Sequence, residues 1–254
     1  MTDWIVCPEK KDAAAKRLFC FPFAGRGASA YRTWIEETGA DLELCLIQYP
    51  GRENRLRERP FTRVGALVSA LADGISDWLD RPFAFYGHSL GGKIAFETLR
   101  ELRRRGVRLP STLFVGASQG PRLAPMFPLL NALPENEFVE AIQNRYGAVP
   151  RQILEDPELR ALLIPSVRAD IELLETYVYA EEPPLDCDIL AFGGKADPTI
   201  DRSELEAWQQ ETRGGFALKI LDAGHFFLQP ARRELLGAIE AQLSLRPLAV
   251  SESL

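Results

Sequence analysis

The segment Gly87-His88-Ser89-Leu90-Gly91 sets a serine between two glycines in the pattern GxSxG. A serine hydroxyl attacks a carbonyl at neutral pH only when a base takes its proton. Histidine is the usual base, and the chain has 2 histidines, His88 and His225. His88 adjoins the serine, so its side chain is expected to point away from Ser89 and to serve packing or hydrogen bonding. Elimination leaves His225, in Gly224-His225-Phe226-Phe227. An imidazole that gains a proton needs a carboxylate to hold its tautomer and stabilise the imidazolium. Asp197, in Gly193-Gly194-Lys195-Ala196-Asp197-Pro198, is favoured, because it follows an apolar run and falls between serine and histidine in the chain. Asp201 and Asp222 are the alternatives, Asp201 being also suited to cap the next helix. Such a set performs acyl transfer through a covalent serine intermediate, and it requires N–H groups aimed at the developing oxyanion. Leu90 offers one; the loop Pro22-Phe23-Ala24-Gly25 offers the other, with Ala24 favoured and Phe23 second.

These residues need a scaffold that delivers them to one edge. Short apolar runs alternate with helical patterns, the signature of a parallel sheet covered by helices. Strands are predicted at Arg17–Phe21, Leu42–Ile47, Phe83–Tyr86, Thr112–Gly116, Ile189–Phe192 and Phe216–Leu221. Helices are predicted at Ser29–Thr38, Phe61–Leu79, Lys93–Arg105 and about Arg232–Leu243, with Glu101 and Arg105 as an i,i+4 pair. A strand runs directly into the GxSxG segment and a helix leaves it, the context of a strained strand-to-helix turn that exposes the serine. The stretch from Gly120 to about Tyr179 contains no convincing strand. Helices are expected there after Pro134 and from Asp156-Pro157-Glu158, the second kinked or split by Pro165. The predicted architecture is a single α/β domain over 1–254 with a helical lid at about 120–180. Phe127 and Leu130, in an apolar entry loop, are expected to shape the acyl channel.

Composition narrows the partners. The chain has 254 residues, 30 Lys+Arg against 36 Asp+Glu, and a net charge of −6. Its 46% hydrophobic and 26% charged residues fit a globular chain and exclude a disordered one. The acidic balance argues against nucleic acid, and no apolar run approaches the roughly 18 residues of a membrane span. The first residues lack the pattern of a signal peptide, so a cytoplasmic protein is expected. The 4 cysteines have no CxxC spacing, and neither histidine has a second ligand at metal spacing, so neither a disulfide framework nor a metal is expected.

Nearly end to end, the chain resembles the type II thioesterases of nonribosomal peptide and polyketide synthesis, which have the α/β-hydrolase fold. The resemblance is carried by Phe21-Pro22-Phe23-Ala24-Gly25, the PGRExR run within Gln48–Arg55, the GxSxG turn, Gly193–Pro198 and Gly224–Phe227. The family often has His-Ala-Gly-Gly where this chain has Phe23-Ala24-Gly25-Arg26, and methionine where Leu90 stands. The resemblance implies hydrolysis of acyl or aminoacyl thioesters on the phosphopantetheine arm of carrier proteins. It implies no cofactor of the enzyme's own, and a monomer is expected. Arg52, Arg55, Arg57, Arg59 and Arg63 form a basic cluster that either meets an acidic carrier or pairs with Glu53 and Glu58. The rival readings are a stand-alone carboxylesterase or lipase and a medium-chain acyl-carrier thioesterase of fatty acid synthesis.

Overall fold

In a computed structural model, residues 4–126, 128–147 and 155–245 are described. Seven strands form one sheet in the order β1-β3-β2-β4-β5-β6-β7. They are β1 (Ile5–Val6), β2 (Lys16–Phe21), β3 (Leu42–Ile47), β4 (Phe83–His88), β5 (Thr112–Gly116), β6 (Asp188–Gly194) and β7 (Phe216–Leu221). Only β1, which pairs with β3, is antiparallel. β1 is too short to show a period in sequence and went unpredicted; the six longer strands sit where apolar runs announced them.

Side chains alternate across the sheet with period two. Phe19, Phe21, Phe85 and Leu113 face α1 (Val64–Ile75) and α2 (Leu90–Arg104). Leu18, Cys20, Tyr86 and Phe114 face Tyr31 and Trp34 of a 3-10 helix (Ala28–Glu37) together with Leu235 and Ile239 of the C-terminal helix. Each fully buried large apolar side chain contributes about 1.5–3 kcal/mol relative to exposure. These two cores hold the strand ends, and hence the loops that leave them, in a fixed register.

Helical boundaries shift for local reasons. The helix expected over Phe61–Leu79 is regular only in α1 and closes with a 3-10 turn at Ser76–Trp78. α2 begins immediately after Ser89, three residues before the expected start at Lys93, as the directly departing helix of the GxSxG turn. Between β5 and β6 lie α3 (Glu135–Tyr146) and α4 (Pro157–Glu175), capped at its start by Asp156, whose side chain accepts from the N–H groups of Glu158 and Leu159. Pro165 does not split α4, which runs through it. Flanking Ile164 and Ile171 are packed with Leu130, Phe138, Val139 and Ile142, and this separate small core offsets the hydrogen bond that proline forgoes. After β6 come α5 (Arg202–Glu206) and, last, α6 (Arg232–Leu245). The cysteines are free, and among the described residues no helix is long and apolar enough to cross a membrane.

Candidate active site

Ser89 occupies the single-residue junction between β4 and α2, at φ 52° and ψ −116°. A non-glycine residue in that region costs on the order of 1–3 kcal/mol and persists only when its surroundings fix it. Here the Ser89 N–H donates to the Gly116 carbonyl at 2.8 Å, extending the sheet ladder, and Gly92 N–H donates to the Ser89 carbonyl at 3.0 Å. A Cβ on Gly87 would collide with the Gly91 backbone, and one on Gly91 would collide with the Phe21 carbonyl. The turn therefore admits no side chain at either position. Leu90 is the first residue of α2, where N–H groups have no partner within the helix and are free to meet an anion.

His225 lies in the loop after β7. Its Nδ1 is 2.8 Å from Asp197 Oδ2, and both side chains are almost wholly buried. Thr199 Oγ1 donates to Asp197 Oδ1 at 2.8 Å, and the N–H groups of Thr199 and Ile200 add bonds of 2.8 and 3.3 Å to the same oxygen. Burial alone would push the Asp197 carboxyl up, but His225 and these donors together hold it below the ordinary aspartate range. An anionic Asp197 only accepts, so His225 carries its proton on Nδ1, which leaves Nε2 with a free lone pair. Asp201 instead caps α5 through a reciprocal bond with Glu204, and Asp222 is exposed, 3.9 Å from Lys195. Neither meets His225.

His88 is buried on the opposite side of this loop. Its Nε2–H donates to the His225 carbonyl at 2.9 Å, and Tyr86 OH donates to its Nδ1 at 3.2 Å. Burial, reinforced by His225, lowers its pKa to about 3. A permanently neutral His88 thus supports the backbone of His225.

Ser89 and His225 line two clefts that meet between them. The inner one, about 540 Å³ with the solvent at its mouth, also exposes Gln119, Met126, Tyr146, Leu174 and Lys93. The other passes Phe23, Ala24, Ile142 and Val167 and shares those four residues with a larger outer cleft of about 1110 Å³, whose mouth carries Arg26 and Leu56. The insert forms the roof. Leu130, expected on the channel wall, is instead buried in the insert's own core, because an apolar residue on a short helical insert is needed first to hold that insert together. Met126 takes the wall position. Phe127 lies outside the described residues.

The arginine cluster divides. Arg55 is buried, binds both carboxylate oxygens of Glu58 at 2.7 and 2.6 Å, donates to the Gln48 carbonyl and stacks on Trp4. It is a structural residue and not a docking one. Arg52 is also buried, but its partner is Asp170 of α4 rather than Glu53, which accepts from Ser29. The same Asp170 accepts from the N–H of Gly25 at 2.7 Å. The PGRExR segment and the Phe23-Ala24-Gly25 loop that follows β2 are therefore both tied to the roof helix through Asp170. Arg63 pairs with Glu172, whereas Arg57 and Arg59 are exposed. Asp170 and Thr199 escaped the sequence reading, since nothing local marks them.

Residues 16–243 match the thioesterase domain family. The gramicidin S biosynthesis protein GrsT of Aneurinibacillus migulanus is 36% identical over 95% of this chain and 94% of its own. The RedJ thioesterase of the prodiginine pathway in Streptomyces coelicolor superposes with a TM-score of 0.85 at 36% identity, over 93% of this chain and 94% of its own. BorB, a type II thioesterase from the borrelidin biosynthetic cluster, does so with a TM-score of 0.86 at 31% identity, over 96% and 99%. With the α/β-hydrolase fold and the serine turn in place, the chain belongs to the thioesterase family, among the type II thioesterases.

Proposed function

We propose that the protein hydrolyses acyl or aminoacyl thioesters borne on the phosphopantetheine arm of carrier proteins, through an acyl-enzyme on Ser89. The observation that carries this is the buried Asp197–His225 pair set with Ser89 at the meeting point of two clefts. His225 Nε2 takes the Ser89 proton as Oγ bonds to the thioester carbonyl carbon. The carbonyl oxygen becomes an anion facing the N–H groups of Leu90 and Ala24. When the C–S bond breaks, the imidazolium returns the proton to the departing thiolate. Water then enters and gives a proton to His225 as its oxygen bonds to the acyl carbon; the imidazolium returns that proton to Ser89 Oγ as the C–Oγ bond breaks and the acid leaves. Asp197 keeps Nδ1 protonated throughout and balances the imidazolium charge.

The two clefts suit the two halves of such a substrate. The outer cleft runs along the oxyanion loop to the surface and would admit the pantetheine arm, while the inner cleft would receive the acyl group. That BorB is a type II thioesterase of a biosynthetic cluster supports carrier-bound thioesters as the substrate class. Ser89→Ala should fold normally and lose thioester hydrolysis by a factor on the order of 10⁴–10⁶. Intact-protein mass spectrometry of an acyl-loaded carrier reads this directly. A serine-reactive phosphonate should add once to the parent and not to the variant; undiminished labelling of Ser89→Ala would remove Ser89 from the mechanism.

A further inference from the structure

The acyl cleft contains a charge that the hydrolytic cycle does not use. Lys93 is only 4% exposed and lines the inner cleft with Ser89. It lies four residues after the nucleophile, on the same face of α2 and about 6 Å along the axis. Helical side chains lean toward the N-terminus, which directs this one back toward the Ser89 end. Among the described residues no hydrogen bond or ion pair reaches its ammonium, which sits over the Tyr177 ring at 5.0 Å.

The neighbouring carboxylates are engaged elsewhere. Glu97 accepts from Tyr177 OH at 2.6 Å and from Arg100 at 2.8 Å. Glu204 accepts from Asp201 N–H at 2.8 Å. Glu175, on the cleft wall, accepts from the N–H groups of Leu130 and Asn131. Arg145 adds a second cation to the same wall. Burial lowers the Lys93 pKa to about 8, with Glu204 and Glu97 opposing the fall, so the amine remains largely cationic at neutral pH. A buried cation that has a ring face and the electrostatic pull of Glu204 and Glu97, but no hydrogen-bond partner among the described residues, favours a ligand that brings its own anion.

We propose that Lys93 forms an anion subsite at the end of the acyl cleft and selects acyl groups that end in a carboxylate, short dicarboxylic groups such as succinyl. This deepens the thioesterase reading and rests on it. With the carbonyl carbon at Ser89, the acyl chain enters the inner cleft and its terminal carboxylate meets the ammonium, while an alkyl chain of equal length leaves that charge unanswered.

The test compares stable amide analogues of succinyl- and butyryl-pantetheine, in which NH replaces sulfur, by calorimetric binding to the parent, Lys93→Met and Lys93→Arg. The parent should favour the succinyl analogue. The succinyl-to-butyryl affinity ratio should fall about tenfold or more in Lys93→Met and be largely kept in Lys93→Arg, with phosphonate labelling of Ser89 confirming that each variant is folded. A ratio that Lys93→Met does not move, a parent without the preference, or a parent that fails to bind the succinyl analogue overturns the subsite. Hydrolysis of succinyl-loaded carrier by the parent is measured alongside. Its failure with the binding preference intact would count against the thioesterase reading and not against Lys93.

Discussion

Asp197 accepts from His225 Nδ1, from Thr199 N–H and Oγ–H, and from Ile200 N–H, which fixes both its position and its charge. Asp197→Asn keeps the shape but offers an amide that can donate to Nδ1, turning the imidazole to the wrong tautomer. A fall in kcat of roughly 10⁴ is expected for a carboxylate in this role, with far less change in KM, measured on an acyl-pantetheine thioester. The same carboxylate links stability to pH. Its pKa is lowered on folding from 3.8, so its contribution is fully present above that value and is lost as pH falls through the lower folded value. Melting temperatures taken from pH 5 downward should therefore fall more steeply in the parent than in Asp197→Asn. Local glycines, scarcity of histidine and chain order each mark one of Ser89, His225 and Asp197 in the sequence, and the structure sets Asp197 against His225, which lines a cleft with Ser89. Thr199 and Lys93 have no such mark. A threonine two residues past an aspartate and a lysine inside an amphipathic helix acquire their meaning only from what folding sets opposite them.

Among the elements, the roof helix α4 is tied to the loop after β2 through one carboxylate. Asp170 holds Arg52 on one oxygen and the N–H of Gly25, next to Ala24, on the other. Asp170→Ala strands a buried guanidinium and should cost about 3–5 kcal/mol in urea unfolding. The double variant Arg52→Met with Asp170→Leu removes both charges and should regain much of that stability. It cannot restore the Gly25 bond, so kcat should stay depressed in the double variant even where stability recovers. Full recovery of both would mean that Asp170 supports only the fold. The insert's helices were evident from their caps and apolar spacing, but not the use of its apolar surface. Leu130 illustrates the ambiguity, since a channel wall and a private core call for the same residue type. With Leu130 packed against Phe138 and Ile142, Leu130→Ala should lower stability by about 2–5 kcal/mol and leave the ranking of acyl-chain lengths in place, checked by melting and by a thioester series.

Over the whole molecule, charge is distributed against its own total. The chain carries a net −6, yet exposed Arg57 and Arg59 follow Leu56 at the mouth of the outer cleft, where Arg26 is also exposed. Arg52, Arg55 and Arg63 are committed to Asp170, Glu58 and Glu172, which leaves the two exposed arginines as the part of the cluster able to meet a partner. An acidic carrier delivering its arm into that mouth would be steered by them, and exposed charges act within a Debye length of about 8 Å at physiological salt. Arg57→Glu with Arg59→Glu should therefore raise KM for an acyl-loaded carrier and flatten the dependence of kcat/KM on ionic strength. The same variant should hydrolyse a small acyl-pantetheine thioester at close to the parent rate, because neither side chain lines the clefts at Ser89. Equal losses on carrier and small substrate would instead assign the pair a structural part. Unchanged kinetics on both would move the carrier's footprint to another face of the mouth, with Arg26 the next residue to reverse.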